Sequence, residues 1–434
     1  MAVVGRENIF PKESTLNLRL LKFFCDFSLV LDGELPESVT SYISYMKLHY
    51  HFEKDVFPYL EVELTLPKSI CLKIQNNSDS ALFLLNLTKQ DISENIPETS
   101  YERYYENVLL KPVNIPHLTL EAEDELETDS IVDDIPQHKL KMFMFKKDHL
   151  YFNKKLNHQV YNDCTVSDVL LDLIGKNFES SEMDFNIGKI VNDKVYDQII
   201  IPPINFIDSI KYLQRVYGLF NNGLNLFFDF TSVFISDKIK LVESGNPDFI
   251  KDAYIELYSQ KDNERTGINT MNVSFFNEEN NSFVVRTTSE GIMPNISGSK
   301  KEIDGEAITI LSTSNESSDV RNCLNMTFDS GSNDARRPKE KLYWNPYTNE
   351  LNESEFKSKS SLDFKVLQLN IKEADLEIFS INRRYIIVDK NDSFDQDRSG
   401  FYKVVDMEFL LTGNNDDCFK VSCNLRLKRI LNEE

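Results

Sequence analysis

Apolar and polar residues alternate most regularly near the C-terminal end of the chain. Over 419–428 every second residue is apolar, 401–411 shows a similar alternation, and 412–417 is a polar turn between them. A period of two residues indicates a half-buried strand, and a one-residue slip would expose its whole apolar face. The pattern therefore predicts a long β-hairpin with a well-specified register.

The same alternation predicts several strands earlier in the chain. Leucine and valine alternate with polar residues over 60–66, which places Glu61 and Glu63 on the wet face of that strand. Further strands are predicted at 70–74, 81–87 and 139–145, and a further hairpin at 272–276 and 282–287.

The stretch 199–237, which we call the cassette, combines a helix, a turn and two strands. Pro202 and Pro203 disfavour a helix before them, and Asn205 is a good N-cap residue. Apolar residues then recur every three or four positions, which indicates one buried helix face. Gly218 can adopt the left-handed conformation that ends a helix, and an aromatic-rich hairpin follows it.

A second helix is predicted at 163–175. Thr165 and Asp168 have the spacing of a capping box, and Gly175 is expected to end the helix. The apolar positions of the cassette and of the C-terminal hairpin are predicted to pack in the core: Phe206, Ile210, Leu213, Tyr217, Phe228, Phe419, Val421 and Leu425.

Composition narrows the class of protein. The chain has 434 residues, which predicts about three domains, and 41% hydrophobic residues are enough for sizeable cores. Its net charge of −22 argues against anionic membranes and sequence-specific DNA as ligands.

The six cysteines form no C-x-x-C pair, so they are expected to be reduced and buried. The N-terminal residues resemble no signal peptide and no stretch is long enough to span a membrane, which predicts a protein kept in a cytoplasm or packed into a particle there.

The motifs that carry catalysis are missing, and nothing in the sequence indicates a cofactor. There is no G-x-S-x-G, P-loop, dinucleotide fingerprint or H-E-x-x-H. His49 and His51 would share one strand face, but no third metal ligand is evident. Residues 121–134 contain eight acidic residues; a solvated loop is the expected structure, because the central glycine and ligand spacing of a calcium loop are missing. An enzyme is therefore not predicted.

The order of these elements resembles a known family. A strand-rich first part is followed by the capped helix, the cassette, and the hairpin FYKVVDMEFLLTGNNDDCFKVSCNLRLKR at 401–429. This order resembles the central baseplate hub proteins of contractile-tailed bacteriophages, which are related to the hub part of type VI secretion spikes. Most of the resemblance lies within 201–229, where two prolines are followed by a helix, Tyr-Gly, a turn, an aromatic strand and Asp.

The resemblance implies an α+β fold that is mostly β, with two small antiparallel β-barrel domains and a helix-containing domain between them. The expected bounds are 1–158 for the first barrel, 159–249 for the helix-containing domain, 250–290 with 364–434 for the second barrel, and 291–363 for a polar insertion. Pairing of 401–428 with the first 100 residues in one sheet would count against this division.

The resemblance also implies a structural function. Three copies would form a ring that adapts a sixfold tail tube above to a threefold central spike below, leaving a channel for DNA. The implied partners are two further copies, the tail tube protein, the spike protein and baseplate wedge proteins, in a virion assembled in the host cytoplasm. Glu61 and Glu63 would then face the channel, whose wall is expected to be acidic or neutral so that DNA does not adhere; otherwise they face solvent outside the ring.

Two other functions stay open at this point. A tail-associated cell-wall hydrolase would need a catalytic constellation that the sequence does not display, and a cell-wall digestion assay would detect it. A distal-tail adaptor of another tail type would form a hexamer rather than a trimer, so the native mass separates it from a hub.

Overall fold

β-Strands make up most of the fold. The computed structural model describes residues 16–19, 21–52, 56–91, 101–115, 137–178, 183–221, 223–237, 242, 252–258, 273–277, 282–288, 293–296, 299–303, 306–310, 344–345, 350–351, 365–371, 374–376, 378–380, 382–389, 399–413 and 418–429. Within these ranges the chain is mostly β, as predicted, and contains four α-helices.

The strands of the first third are β1 (Leu16–Arg19), β2 (Leu21–Val30), β3 (Glu37–Ser38), β4 (Ile43–His51), β5 (Tyr59–Pro67), β6 (Leu82–Asp91), β7 (Tyr101–Asn114) and β8 (Gln137–Lys146). The middle contains β9 (Leu156–Thr165), β10 (Asp184–Ile187), β11 (Val195–Asn205), β12 (Leu224–Phe228) and β13 (Ser232–Asp237). The last part contains β14 (Asp252–Tyr258), β15 (Val273–Asn277), β16 (Ser282–Thr288), β17 (Met293–Ile296), β18 (Ser299–Ile303), β19 (Glu306–Ile310), β20 (Trp344–Asn345), β21 (Glu350–Leu351), β22 (Lys365–Ile371), β23 (Arg384–Asp389), β24 (Gly400–Gly413) and β25 (Phe419–Arg429). The helices are α1 (Lys68–Asn76), α2 (Lys147–Lys154), α3 (Val166–Phe178) and α4 (Phe206–Val216).

One 16-stranded sheet dominates, in the order β1-β15-β16-β14-β23-β24-β4-β5-β8-β7-β6-β2-β25-β22-β17, with β3 beside β2. An additional pairing between β24 and β25 closes part of it into a ring: β24, β4, β5, β8, β7, β6, β2 and β25. The main hydrophobic core includes side chains from every one of these strands.

Six strands of this sheet lie side by side without interruption: β22, β25, β24, β4, β5 and β8. Every neighbouring pair is antiparallel. Three strands come from 365–429 and three from 43–146. One face packs into the main core through residues such as Leu60, Met407 and Leu425. The other face carries mostly polar side chains, with Phe143, Phe145 and Leu410 among them.

The predicted two-barrel arrangement is not confirmed. It kept the C-terminal hairpin apart from the first 100 residues, whereas Met407 lies opposite Tyr50 and Phe409 lies opposite Leu48 in the same sheet. Both strands bury an apolar face in one core, and their pairing leaves neither with an open edge there. The large sheet therefore joins both ends of the chain, which is the pairing that counts against the predicted division into a first and a second barrel.

The cassette has the predicted elements. The Asn205 Oδ1 accepts a hydrogen bond from the Asp208 backbone N–H at 2.8 Å, which caps α4. Gly218 has a φ of +79° and its N–H donates to the carbonyl of Leu213 at 3.1 Å, which ends the helix. The strands β12 and β13 form the predicted antiparallel hairpin. The cassette and α3 together form a second hydrophobic core.

Two local predictions were wrong. Residues 68–76 form α1 instead of a strand, because Ile70, Cys71 and Ile74 share one helix face, which is buried. The capping box of α3 is present, with the Asp168 N–H donating to Thr165 Oγ1 at 3.2 Å and the Thr165 N–H donating to Asp168 Oδ2 at 3.0 Å. Gly175, however, lies inside α3, which continues to bury Phe178.

The acidic stretch 121–134 lies outside the described residues. That it forms a solvated loop and does not bind calcium therefore remains a prediction. Most of 291–363 lies outside them as well. Within that range β17 pairs with β22 at one end of the large sheet, and β18 with β19 and β20 with β21 form two small antiparallel sheets.

Candidate functional site

The eight predicted core residues lie in two separate cores. Phe206, Ile210, Leu213, Tyr217 and Phe228 belong to the core of the cassette, and Phe419, Val421 and Leu425 belong to the main core. Each of these side chains is at most 7% exposed. These residues hold together the elements around them.

The polar side chains of the six-stranded sheet lie together on one surface. We call it the polar face, and it consists of Tyr45, Lys47, His49, His51, Tyr59, Glu61, Glu63, Lys139, Lys141, Lys403, Asp406, Glu408, Lys420, Asn424, Arg426 and Lys428. The strand register brings residues from both ends of the chain into contact there. Glu61 and Glu63, which were predicted to face a channel, both lie on it.

Glu61 is the centre of a hydrogen-bond network on the polar face. Its Oε1 accepts a hydrogen bond from the Tyr45 hydroxyl at 2.9 Å and lies 2.7 Å from the Lys141 Nζ, and its Oε2 lies 3.0 Å from the His49 Nε2. The residue is only 7% exposed, although the alternation placed it on the wet face of its strand. Burial alone would raise the pKa of Glu61, but hydrogen bonds from Lys141, Tyr45 and His49 outweigh it and lower this pKa.

Replacing Glu61 with glutamine is expected to lower the free energy of unfolding by about 1–3 kcal/mol at neutral pH, because hydrogen bonds to a buried charged acceptor are lost. The lowered pKa of Glu61 means that its contribution is present above the ordinary pKa of 4.5 and is lost as the pH falls through the folded-state pKa. Urea unfolding of parent and variant across this pH range measures the difference, which should shrink in acid.

Glu63→Gln is the matched control for this experiment. Glu63 lies on the same strand, but its Oε1 is 3.7 Å from the Nζ of Lys139, which is largely exposed. Such a pair is expected to contribute less than about 1 kcal/mol. Equal losses of stability in the two variants would contradict the central role assigned to Glu61.

His49 lies between two carboxylates. Its Nε2 contacts Glu61, and its Nδ1 is 3.4 Å from the Glu408 Oε2, while the ring stacks on Tyr59 with 4.6 Å between centroids. Burial lowers the pKa of His49, although the charges of Glu408 and Glu61 act in the opposite direction. This side chain therefore bridges β5, β4 and β24 across the seam between the two ends of the chain.

His51 extends the same seam. Its Nδ1 is 3.2 Å from the Asp406 Oδ1, and the Arg426 Nη1 is 3.1 Å from the Asp406 Oδ2. Burial would raise the pKa of Asp406, but His51 and Arg426 hold it below its ordinary value. Both histidines are thus engaged with carboxylates, and the part of the chain that the structure describes contains no group of three or more His, Cys, Asp or Glu side chains able to hold a metal ion.

The charge of the polar face differs from that of the whole chain. Its four carboxylates each lie within 3.7 Å of a basic side chain: Glu61 with Lys141, Glu63 with Lys139, Glu408 with Lys47, and Asp406 with Arg426. Three more lysines of β24 and β25 lie on the same face: Lys403, Lys420 and Lys428. The polar face thus carries seven basic and four acidic side chains. The acidic or neutral channel wall stays a prediction, and this face, if it lines a channel, does not have that charge.

A partly buried polar contact that sequence reasoning missed joins the cassette to the large sheet. The Asp229 Oδ1 lies 3.1 Å from the Tyr50 hydroxyl and 2.9 Å from the Tyr105 hydroxyl, and it accepts a hydrogen bond from the Phe230 N–H at 2.7 Å. The two hydroxyl oxygens are 2.5 Å apart. Burial raises the pKa of Asp229 despite these hydrogen bonds. The only sign of this contact in the sequence was one aspartate between two phenylalanines, Phe228 and Phe230.

The family of the chain follows from its sequence as a whole. The family model described as bacteriophage PBS1 gene 109 protein matches residues 15–430. The chain therefore belongs to the family of the bacteriophage PBS1 gene 109 protein. This match confirms, at the level of a phage protein family, the resemblance drawn from the cassette and the C-terminal hairpin. No curated protein matches the chain.

Several solved structures are similar in fold. A tail protein from Neisseria meningitidis MC58 is 8% identical, with 94% of this chain and 97% of that chain covered and a TM-score of 0.43. The 43 kDa tail protein of prophage MuSo2 from Shewanella oneidensis is 9% identical, with coverage of 93% and 96% and a TM-score of 0.44. The E. coli c3393 protein, a component of the type VI secretion system, is 8% identical, with coverage of 94% and 77% and a TM-score of 0.40. All three scores lie below 0.5, so the family assignment rests on the sequence match.

None of the helices in the described ranges has the length and apolar character needed to cross a membrane.

Proposed function

We propose that this chain is a structural hub of a phage tail baseplate, and that three copies form a ring around a channel. The observation that carries the proposal is the uninterrupted six-stranded sheet, with three strands from each end of the chain, an apolar face in the core and the polar face opposite. In the ring, the polar faces of three copies line the channel. Each copy contributes two groups of three strands, one from each end of the chain, so three copies surround the channel with six such groups. This arrangement suits a sixfold tube on one side and a threefold spike on the other.

The partners of such a hub are the tail tube protein above, the central spike protein below and baseplate wedge proteins around it. The chain is then a virion component that assembles in the host cytoplasm, and it acts without catalysis. Membership of a phage protein family supports this role. A cell-wall digestion assay with the purified chain is expected to show no hydrolysis, and release of wall fragments would favour a tail-associated hydrolase instead.

Native mass spectrometry of the purified chain tests the ring. Three times the chain mass of 50.4 kDa is the expected result. Six copies would favour a distal-tail adaptor, and a single copy at all accessible concentrations would contradict the ring.

Cysteine labelling tests which face lines the channel. In the trimer, a cysteine at Lys47 on the polar face should react with a small maleimide but not with a maleimide attached to a large polymer. Leu171→Cys is the control, because Leu171 lies on α3 and is 55% exposed; it should react with both reagents. Equal labelling of both positions by the large reagent would place the polar face outside the channel.

A further inference from the structure

His149 is a titratable side chain that lies where the cassette meets the large sheet, and the proposed trimer does not use it. It lies on α2 and is fully buried. Its imidazole stacks on the ring of Phe57 with 4.9 Å between centroids, and it crosses the ring of Phe228 at a steep angle with 5.3 Å between centroids. Phe57 comes two residues before β5 of the large sheet, whereas Phe228 ends β12 of the cassette. The imidazole therefore packs between the two parts of the fold.

A hydrogen bond crosses from the cassette to the large sheet at the same place. The Phe228 N–H donates to the Val56 carbonyl at 3.0 Å, and the rings of Phe57 and Phe228 lie 4.7 Å apart. Asp229, the next residue, extends the contact to tyrosine hydroxyls of β4 and β7. We call this contact the joint, and it consists of Val56, Phe57, His149, Phe228 and Asp229. A change that loosens the packing of His149 therefore loosens the attachment of the cassette to the large sheet.

The surroundings of His149 are poorly suited to a polar side chain. Within the described residues, neither ring nitrogen has a hydrogen-bond partner at normal geometry. A buried polar atom without a partner costs free energy that an apolar side chain of similar size would not cost. Protonation increases this cost, because the charged imidazole has two donors and brings a positive charge into an apolar environment. A position where the sequence departs from good packing in this way is a candidate for a function.

The groups that act on His149 favour its neutral form. Burial and the positive charge of Lys146, which directly precedes α2, hold the pKa of His149 well below its ordinary value of 6.5. The backbone of Asp229 acts in the opposite direction, but its effect is smaller. The Asp229 carboxyl group is engaged with the hydroxyls of Tyr50 and Tyr105. A proton on the imidazole would therefore add a second positive charge beside Lys146.

The other charged side chains near α2 point away from the joint. On α2 itself, Lys147 and Lys154 are exposed, and the Asp148 Oδ2 lies 3.9 Å from the Lys146 Nζ. The helix packs against α4, β7, β8 and β11. Apart from Lys146, the acidic and basic side chains of these elements that the structure describes are exposed, except for Lys111, which donates to a backbone carbonyl. Of these described groups, only Lys146 and Asp229 act on the imidazole.

We propose that the joint is an acid-sensitive contact: the neutral imidazole of His149 holds the cassette on the large sheet, and protonation of this imidazole loosens the contact. The proposal does not depend on the trimer. In the closed joint His149 stays neutral, because its folded-state pKa is lowered. When the joint opens, the imidazole reaches water and takes a proton below its ordinary pKa of 6.5. Acid therefore favours the open joint by up to about tenfold for each pH unit between this ordinary value and the folded-state pKa, and the effect disappears above that window.

Amide hydrogen exchange of the full chain, followed by mass spectrometry, tests the proposal. Peptides that contain Phe228 report on the joint, and peptides from β25 report on the main core. Lowering the pH from about 7.5 to about 5 should raise the exchange rate of the joint peptides at least about fivefold, after correction for the pH dependence of the chemical exchange rate. The corrected exchange rate of the β25 peptides should stay constant.

Replacements of His149 identify the group responsible. His149→Gln keeps a polar side chain of similar size that cannot be protonated, and His149→Leu introduces an apolar side chain of similar volume. The rise in acid should disappear in both variants. His158→Gln is the matched control, because His158 lies exposed on β9, and its joint peptides should respond to acid as those of the parent do. A rise that persists in the His149 variants would overturn the proposal, as would a parent whose joint peptides do not respond to acid.

Asp229 is the other titratable side chain of the joint, and it acts in the opposite sense. Burial raises its pKa in the folded state, so the closed joint holds the proton of Asp229 more tightly than the open joint does. Asp229→Asn should therefore leave the rise in acid intact or make it steeper. Loss of the rise in this variant would assign it to Asp229 and overturn the role given to His149.

Discussion

Replacing Ile210 with aspartate is expected to lower the free energy of unfolding by at least about 3 kcal/mol, because a carboxylate would be buried without a partner. Ile210 lies on the inner face of α4 and is fully buried in the cassette core. Urea unfolding followed by circular dichroism measures the loss. The variant should also unfold at a lower temperature than the parent.

Lys211→Asp is the control for this prediction. Lys211 is the next residue of α4 and is exposed, so the same new side chain enters the same helix on its solvent face. The control should change stability by less than about 1 kcal/mol, since surface substitutions rarely do more. A parent-like melting curve for Ile210→Asp would show that the helix does not pack as described.

Local features could be predicted from the sequence because a few neighbouring residues determine them. Asn205 and Gly218 act on backbone groups within four or five positions of themselves, so both ends of α4 were predicted. The alternation of β25 likewise determines its buried face. The error at 68–76 arose because Ile70, Leu72 and Ile74 fit a period of two, whereas Ile70, Cys71 and Ile74 fit a helix equally well.

Longer-range features could not be predicted, because they depend on which distant strands share a core. The polar face needs β4 next to β24, and the contact between His51 and Asp406 joins residues 355 positions apart. An irregularity between Val404 and Asp406 also shifts the register of β24. Tyr402 therefore faces the core at 1% exposure, where simple alternation with Met407 would have selected Phe401. Alternation does not reveal such a bulge.

Asp229 illustrates the same limit and gives the second large prediction. Asp229→Ala is expected to cost about 2–5 kcal/mol, because two buried tyrosine hydroxyls and one backbone N–H lose their acceptor. Tyr50 is 4% and Tyr105 is 2% exposed, so their hydroxyl groups lie in a largely buried environment. Asp197→Ala on the exposed side of β11 is the control and should be nearly neutral.

A double-mutant cycle identifies the contact responsible. Tyr105→Phe removes one of the hydroxyls near the Asp229 Oδ1. If the hydrogen bond carries the effect, Asp229→Ala and Tyr105→Phe should couple by about 0.5–3 kcal/mol instead of adding. Additive losses would mean that Asp229 stabilises the fold through another contact.

Asp229→Asn keeps an oxygen acceptor and removes the charge, so its effect should depend on pH. Burial raises the pKa of Asp229 in the folded state above the ordinary value of 3.8. The folded chain then holds this proton more tightly than the unfolded chain, and the resulting stabilisation is present below pH 3.8 and is lost as the pH rises through the folded-state pKa. The asparagine variant lacks this titration. Its stability relative to the parent should therefore improve as the pH rises through that window, and unfolding midpoints in urea at a series of pH values measure the trend. A difference that stays constant with pH would show that Asp229 titrates alike in the folded and unfolded chain, which contradicts the raised pKa.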